Sequence, residues 1–196
     1  MKSRIPILAL VIVGLFTATC GRKKSDQAQY LAFAGKVMQD ALPPMIKTLQ
    51  AQVDKNGHAA SVGFCSQFAG EHGKAKNAEW AAKAIQELGV KSYRFRRVSD
   101  RNRNPKNAAN AKQAEVLANW LKDGAKPTLY KEGNRIITMH PIKMALPMCL
   151  GCHGDENSQV EKAMVEIRKI YPDDKATGYK LGDLRGAFVT EAELSQ

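Results

Sequence analysis

The sequence lacks any apolar run long enough to cross a lipid bilayer as a helix. Its N-terminal apolar stretch, residues 5–18, holds fourteen residues, whereas a membrane-spanning helix needs about 20. Acidic residues are also absent from residues 1–19, which begin with the basic Lys2 and Arg4. A short basic start followed by a short apolar core is typical of a secretory signal peptide. The sequence therefore predicts export, with residues 1–19 as the signal and a periplasmic or otherwise outside-facing mature protein.

A cysteine, Cys20, follows the predicted signal directly. This arrangement resembles a bacterial lipoprotein signal, in which the cysteine becomes the lipidated first residue and tethers the protein to a membrane. Thr17 and Thr19 depart from the usual pattern, which has Leu and a Gly or Ala at these places. Residues 20–29 would then form a tether. Two alternatives stay open, namely ordinary cleavage behind the segment and retention as an anchor, which the basic residues 22–24 favour because cytoplasmic flanks are usually basic.

Acidic residues are outnumbered, since 19 Asp and Glu face 30 Lys and Arg, giving a formal net charge of +11. The basic residues are scattered and no nucleic-acid-binding motif is present, which argues against a nucleic-acid partner. Either a solubilising surface or a basic face for anionic lipid, a redox protein or a signalling partner fits this charge. The length of 196 residues and the 44% hydrophobic content predict one globular domain over residues 30–196.

Hydrophobic periodicity predicts helices in the first half of the chain. Pro43–Pro44 should kink or break the first of them, Asn56–Gly57 should end it, and Asn77 should cap the third. The predicted helices span residues 26–54, 58–72, Ala78–Leu88, Ala111–Lys122 and Gln159–Ile170.

Alternating patterns predict strands in the second half. A hairpin turn is expected at Glu132–Gly133–Asn134, and irregular structure is expected in residues 99–110 and between Pro141 and Pro147. The predicted strands are Val90–Val98, Leu129–Lys131, Arg135–Met139 and Leu184–Thr190. Helices first and a small antiparallel sheet later predict an α+β fold.

The motif with a chemical meaning is Cys149–Leu150–Gly151–Cys152–His153, the C-x-x-C-H pattern of c-type haem attachment. Two cysteines three residues apart on a tight turn can each bond one haem vinyl group. The next residue, His153, then places its imidazole on the iron. Gly151 should help because it has no side chain to clash with the macrocycle. The motif predicts one covalent haem c per chain, with thioethers at Cys149 and Cys152 and His153 as an axial iron ligand.

Other uses of a C-x-x-C pair fit this sequence less well. A thioredoxin-like redox pair belongs at a strand-to-helix junction of a βαβ unit, which the predicted elements lack. A zinc site needs further ligands, and the sequence has no second cysteine pair.

The remaining thiol, Cys65, has no disulfide partner if lipid takes Cys20 and haem takes the other two cysteines. It is then either a buried small hydrophobe or a thiolate on the second axial face of the iron. His58 and His72 are expected at the surface, whereas Met139 and His140 could reach a pocket. Met144 and Met148 are expected to pack against the edge of the ring.

Three further features of the sequence are informative when taken in order. They are Arg96–Ser99 with Arg103–Asn107, then Cys149–Asp155, and then Tyr171–Pro172 with Lys175–Lys180 and Gly182–Ala187. Together these stretches resemble a family of PAS-like c-type haem-binding domains from bacteria and cyanobacteria, and the resemblance covers about residues 30–190. Domains of this family occur alone after a signal peptide and as the outer part of histidine kinases and chemoreceptors.

This resemblance implies a PAS-like antiparallel sheet with flanking helices and a helical N-terminal part. It also implies His/Cys axial ligation with the cysteine on an N-terminal helix, a role that Cys65 alone fits. Arg103, Tyr179 and Arg185 in the flanking stretches are candidate contacts for the haem propionates, because arginine suits carboxylate recognition.

A redox or small-ligand sensor is the function that the resemblance favours. An electron carrier is the alternative that the motif and the basic charge favour. Enzymatic activity such as that of a peroxidase is not expected, because it needs an open iron site with an acid–base residue nearby, and the sequence shows no such set.

Overall fold

The computed structural model describes residues 22–195, so the predicted signal peptide and Cys20 lie outside the described residues. Single turns of 3-10 helix occur at Pro105–Asn107 and Pro147–Cys149. No helix within the described range combines the length and the hydropathy that a membrane span needs. The helices and strands are α1 (Arg22–Leu88), β1 (Val90–Val98), α2 (Ala111–Asp123), β2 (Thr128–Glu132), β3 (Arg135–Lys143), α3 (Leu150–His153), α4 (Glu161–Ile170) and β4 (Leu184–Leu194).

Helix α1 is a hairpin of two antiparallel arms. Gly57, with φ 77° and ψ 169°, interrupts the helical geometry and separates a first arm (residues 22–56) from a second arm (residues 58–88). Glycine adopts this left-handed backbone without the steric cost that a Cβ would add. Across the hairpin, Trp80 Nε1 donates to Asp40 Oδ2 over 2.8 Å. The predicted helix end at Asn56–Gly57 is therefore confirmed.

Pro43 and Pro44 do not break the helix, because both lie inside the first arm, where their backbone stays helical. A kink at these prolines stays a prediction. The predicted cap at Asn77 is wrong. Asn77 does not cap a new helix, because it lies within the continuous second arm. Its side chain instead pairs with β1, accepting from the Phe95 N–H over 2.7 Å and donating to the Phe95 carbonyl over 3.0 Å. The helix also begins earlier than expected, so residues 22–29 of the predicted tether are helical.

The four described strands form one antiparallel sheet in the order β1-β4-β3-β2. Strand β3 continues past its predicted end to Lys143 and includes Pro141, which was expected to be irregular. Pro141 is opposite Ala187 of β4, but it lies beyond the residues that pair with β2. Its missing N–H therefore faces a free edge of β3, where proline is tolerated. The predicted α+β class, with flanking helices and a helical N-terminal part, is confirmed.

The sheet buries a different set of side chains on each face. The face toward α1 carries Tyr93, Phe95, Ile136, Phe188 and Ala192, which pack against Phe33, Val37, Ala41, Trp80 and Ala84 of the hairpin. The face toward α2 carries Val98, Ile137, Met139, Ala187 and Val189, which pack against Val116, Leu117 and Trp120.

A smaller cluster joins the second arm to α4. Val62 of the arm packs against Ala163, Met164 and Ile167, and Cys152 is packed against this cluster. The fold thus places the C-x-x-C-H motif beside the helical hairpin.

Candidate haem site

The motif folds as one continuous turn. Cys149 ends the 3-10 turn Pro147–Cys149, and α3 begins at the next residue. Both motif thiols are free and partly buried. Cys149 packs beside Met144 and Tyr179, whereas Cys152 packs beside the cluster of the second arm and α4. Because residues three apart on a helical turn lie on the same side, the two sulfur atoms can serve a single ligand.

His153 is held in one tautomer by the loop that follows α4. Its Nδ1 lies 2.7 Å from the Ala176 carbonyl oxygen, which can only accept, so Nδ1 carries the proton and Nε2 keeps its lone pair. Burial lowers the pKa of His153 well below its usual value, and the positive charges of Arg103 and Arg185 lower it further. A neutral imidazole with a bare Nε2 is the form that binds metals, and a carbonyl partner on the other nitrogen is the usual way to orient it.

Arg103 ties this loop to the motif. Its Nη2 donates to the Cys152 carbonyl over 2.5 Å, and its Nε donates to Asp174 Oδ2 over 3.0 Å. The Asp174 side chain is only 5% exposed. Two backbone bonds add to the attachment, from Tyr179 to His153 and from Gly178 to Gly154. The predicted propionate contact Arg103 therefore lies next to the motif with its guanidinium already engaged.

Tyr179 and Arg185 have unused polar groups beside the motif. The Tyr179 hydroxyl is buried and has no hydrogen-bond partner among residues 22–195. The guanidinium carbons of Arg101 and Arg185 lie 4.1 Å and 5.3 Å from the centre of the Tyr179 ring. Arg185 Nη1 donates to the Arg101 carbonyl over 3.2 Å, and no ion pair in residues 22–195 includes Arg185. A buried hydroxyl donor and a guanidinium without an anion suit a carboxylate.

Cys65 lies on the second arm and shares the region of the two motif thiols. Burial raises the pKa of Cys65, while the charges of Arg97 and Arg103 lower it. Burial also raises the pKa values of Cys149 and Cys152, and the proximity of Cys65 raises both further. The hairpin therefore brings the remaining cysteine to the motif.

The other sequence candidates for an iron ligand lie elsewhere or have partners. Met139 is fully buried on the face of the sheet toward α2, away from the hairpin. His140 faces the first arm, with its Cε1 3.6 Å from the position that a Cβ on Gly35 would take. Its buried Nε2 has no hydrogen-bond partner in the described part of the chain. Met144 is buried beside Cys149 and Tyr179.

The expected surface placement of His58 and His72 is wrong. Both are partly buried in the hairpin, and each bonds a backbone carbonyl through Nε2 over 3.0 Å. The partner of His72 is Ala41 in the first arm. The partner of His58 is Met148, which directly precedes the motif.

Sequence reasoning gave no role to His58, Arg97 or Arg101, which the structure places at or near the motif. Arg97 alternates with Tyr93 and Phe95 along β1 and so shares their face, toward the hairpin. The placement of Arg97 on this face could therefore have been predicted from the alternation in the sequence. Arg101 bonds the Thr177 carbonyl in the loop beside the motif. Nothing in the local sequence could have shown the contact of His58, because its partner is 90 residues away.

The fold and the site define an α+β domain with a C-x-x-C-H motif held beside a helical hairpin. The sequence model of the Tll0287-like family matches residues 22–192, and the chain therefore belongs to the Tll0287-like family. The family relationship predicted from the three sequence stretches is confirmed. A solved structure, the crystal structure of the cyanobacterial heme-protein Tll0287, is similar with a TM-score of 0.49 and 22% sequence identity, covering 77% of this chain and 94% of that one. No curated protein matches the sequence.

Proposed function

We propose that this protein carries one haem c, bound covalently through Cys149 and Cys152, with His153 as an axial iron ligand. The observation that carries the proposal is the 2.7 Å bond from His153 Nδ1 to the Ala176 carbonyl, directly after two free thiols. It leaves Nε2 bare at the residue where the C-x-x-C-H pattern needs a metal ligand. Haem would supply an iron centre that exchanges one electron and can bind small ligands.

The donor set around the motif fits this cofactor. The two thiols offer one thioether each, and Cys65 on the second arm offers the second axial ligand. The unpartnered Tyr179 hydroxyl and the unpaired Arg185 offer contacts to the propionate carboxylates. Arg103 supports the site by holding the Cys152 carbonyl and Asp174, and its contact with a propionate stays part of the proposal.

The role that we propose is sensing of redox state or of a small ligand. A thiolate on the second face would bind ferric iron better than ferrous iron, because its negative charge offsets the larger positive charge of ferric iron. Reduction would then loosen Cys65 and free an iron position. An enzymatic role is not part of the proposal, because catalysis at the iron would also need an acid–base residue beside an open position, and the proposal assigns none.

Electron transfer is the second candidate, and the formal net charge of +11 is the observation that favours it. A basic surface attracts an acidic redox partner and raises the rate of encounter. A redox titration followed by absorption spectra, with and without carbon monoxide or nitric oxide, separates the two roles. Loss of the sixth ligand on reduction, with uptake of the added gas, supports sensing, whereas two ligands that stay in both states support electron transfer.

Export and membrane tethering through Cys20 belong to the same proposal, since c-type attachment takes place outside the cytoplasm. Deletion of residues 1–19 should leave a cytoplasmic protein without haem, and full haem incorporation by that variant would refute the link. Cys20→Ala should release the exported protein from membranes. Unchanged membrane association would favour the N-terminal anchor instead.

A further inference from the structure

A histidine of the helical hairpin forms a hydrogen bond with the residue that directly precedes the haem-attachment motif. His58 is the first residue of the second arm after Gly57, and its Nε2 lies 3.0 Å from the Met148 carbonyl oxygen. Because a carbonyl oxygen only accepts, Nε2 is the donor. Met148 directly precedes Cys149, so this bond fixes the chain where it enters the motif.

The same imidazole occupies the space beside Gly151, the residue between the two motif cysteines. A Cβ at position 151 would lie 2.5 Å from His58 Cδ2 and 3.0 Å from His58 Cε1. Carbon atoms pack at about 3.5–4.0 Å, so any side chain at position 151 must displace the ring. The imidazole of His58 is therefore the group in the described structure that a side chain at position 151 would meet.

His58 and Cys65 lie on the same side of the second arm. They are seven residues apart, which is about two helical turns, or about 10 Å along the axis. Val62 lies between them and packs against α4 and Cys152. The contact of His58 with the motif therefore fixes the position of Cys65, along the axis of the second arm, relative to Cys149 and Cys152.

The other polar contact of this part of the arm leads to the end of α4. Ser66 Oγ bonds Tyr171 Oη over 2.9 Å, and Tyr171 follows α4 directly. Of the hydrogen bonds described for residues 22–195, the one between His58 and Met148 is the bond that joins the second arm to segment 147–153. The hydrogen bond of His58 thus sets the position of the second arm relative to the motif.

We propose that His58 is a positioning residue, which sets the register of the Cys65-bearing arm against the haem-attachment turn and so secures Cys65 as the second iron ligand. It acts through the Met148 carbonyl and Gly151. This inference rests on the proposed function, since it concerns the ligand geometry of the same haem.

The test compares His58→Ala, His58→Gln, Gly151→Ala and the double variant His58→Ala/Gly151→Ala, each as the full chain made with the c-type maturation system. His58→Ala should keep haem attached but shift the ferric spectrum from six-coordinate low-spin to high-spin and raise the reduction potential. His58→Gln should restore the wild-type spectrum, because its side-chain amide can donate to the same carbonyl. His72→Ala is the matched control, since it removes a hairpin histidine that bonds a carbonyl away from the motif.

Gly151→Ala should produce the same spectral shift as His58→Ala. In the double variant the added methyl group meets no imidazole, because His58 has been replaced. The spectrum and reduction potential of the double variant should therefore match those of His58→Ala alone. A wild-type spectrum and potential in His58→Ala would overturn the inference, and so would full additivity of the two substitutions.

Urea unfolding of the wild type, His58→Ala, Gly151→Ala and the double variant, each as purified, separates this inference from the proposed function. Gly151→Ala should lower the unfolding midpoint in the wild-type background and leave it nearly unchanged in the His58→Ala background, whether or not haem is present. Coupling without covalent haem would sink the proposed function and, with it, the role of His58 in securing Cys65 as an iron ligand. Covalent haem without coupling would sink the inference alone.

Discussion

Arg103 Nη2 lies 2.5 Å from the carbonyl oxygen of Cys152, and the same side chain forms a partly buried ion pair with the buried carboxylate of Asp174. Arg103→Ala should destabilise the protein by about 3 kcal/mol, because removal of one partner leaves a buried charge uncompensated. Urea unfolding followed by circular dichroism measures the loss. The double variant Arg103→Ala/Asp174→Ala should lose less than the sum of the single variants.

The matched control for this prediction is Lys169→Ala, which removes an exposed pair with Glu166. Surface pairs of this kind contribute about 0–1 kcal/mol. An Arg103→Ala protein as stable as the Lys169→Ala protein would show that Arg103 does not hold the loop to the motif.

Gly57 and Gly63 should respond in opposite directions to the same substitution. Gly57→Ala should cost about 1 kcal/mol, because φ is 77° while no atom lies within 4 Å of the new Cβ. Gly63→Ala should instead stabilise the protein by up to about 1 kcal/mol, since it lies in the helical second arm with open space around its Cβ. Thermal unfolding of both variants checks the pair, and equal shifts would mean that Gly57 is not the turn of the hairpin.

The free energy of unfolding should fall at alkaline pH because of Tyr130. Burial, with a smaller contribution from the carboxylates of Glu132 and Glu191, raises its pKa from 10.0 to about 12. The folded state thus holds a proton that the unfolded state loses first, so this contribution is complete below about pH 10 and is lost as the pH rises through about 12. Urea midpoints across this interval should fall less steeply for Tyr130→Phe than for wild type, and identical slopes would contradict the assignment.

The positions of most strands and of α2 follow from local pattern. The turn between β2 and β3 falls at Gly133–Asn134 as predicted, because Gly133 supplies a positive φ of 59° between two alternating runs. Helix α2 starts at Ala111 as predicted, because Asn110 and Gln113 form a capping box. These elements are coded by residues that are neighbours in the sequence.

Features that depend on contacts between residues distant in the sequence could not be predicted from the local sequence pattern. Asn77 looks like a helix cap in isolation, but its side chain pairs with Phe95 in the folded chain. His58 looks like a surface residue among polar neighbours, yet its ring packs on the motif. In both cases a tertiary contact decided the role of a residue whose local sequence suits more than one environment.

Cys65→Ser should leave haem attached and change its coordination. In the proposed site the thioethers come from Cys149 and Cys152, so covalent haem should stay. Loss of the proposed anionic ligand should raise the reduction potential and open one iron face to water or added ligands. Cys65→Met could restore six-coordination at a higher potential. Met139→Leu is the matched control, because Met139 packs on the opposite face of the sheet, and its ferric spectrum should equal that of wild type.

A Cys65→Ser ferric spectrum identical to that of wild type would contradict the ligand assignment. Cys65 would then be a buried thiol. His140, whose Nε2 lacks a hydrogen-bond partner within the described residues, would be the next residue to substitute.

The covalent bond between the chain and haem is the central claim, and extraction of the denatured protein with acidified organic solvent tests it most directly. The full chain, made with its signal and the c-type maturation system, should keep its haem on the polypeptide, and the intact mass should exceed that of the bare chain by one haem. Cys149→Ala/Cys152→Ala should abolish the attachment. Haem that leaves with the solvent, or an intact mass equal to that of the bare polypeptide, would contradict the account.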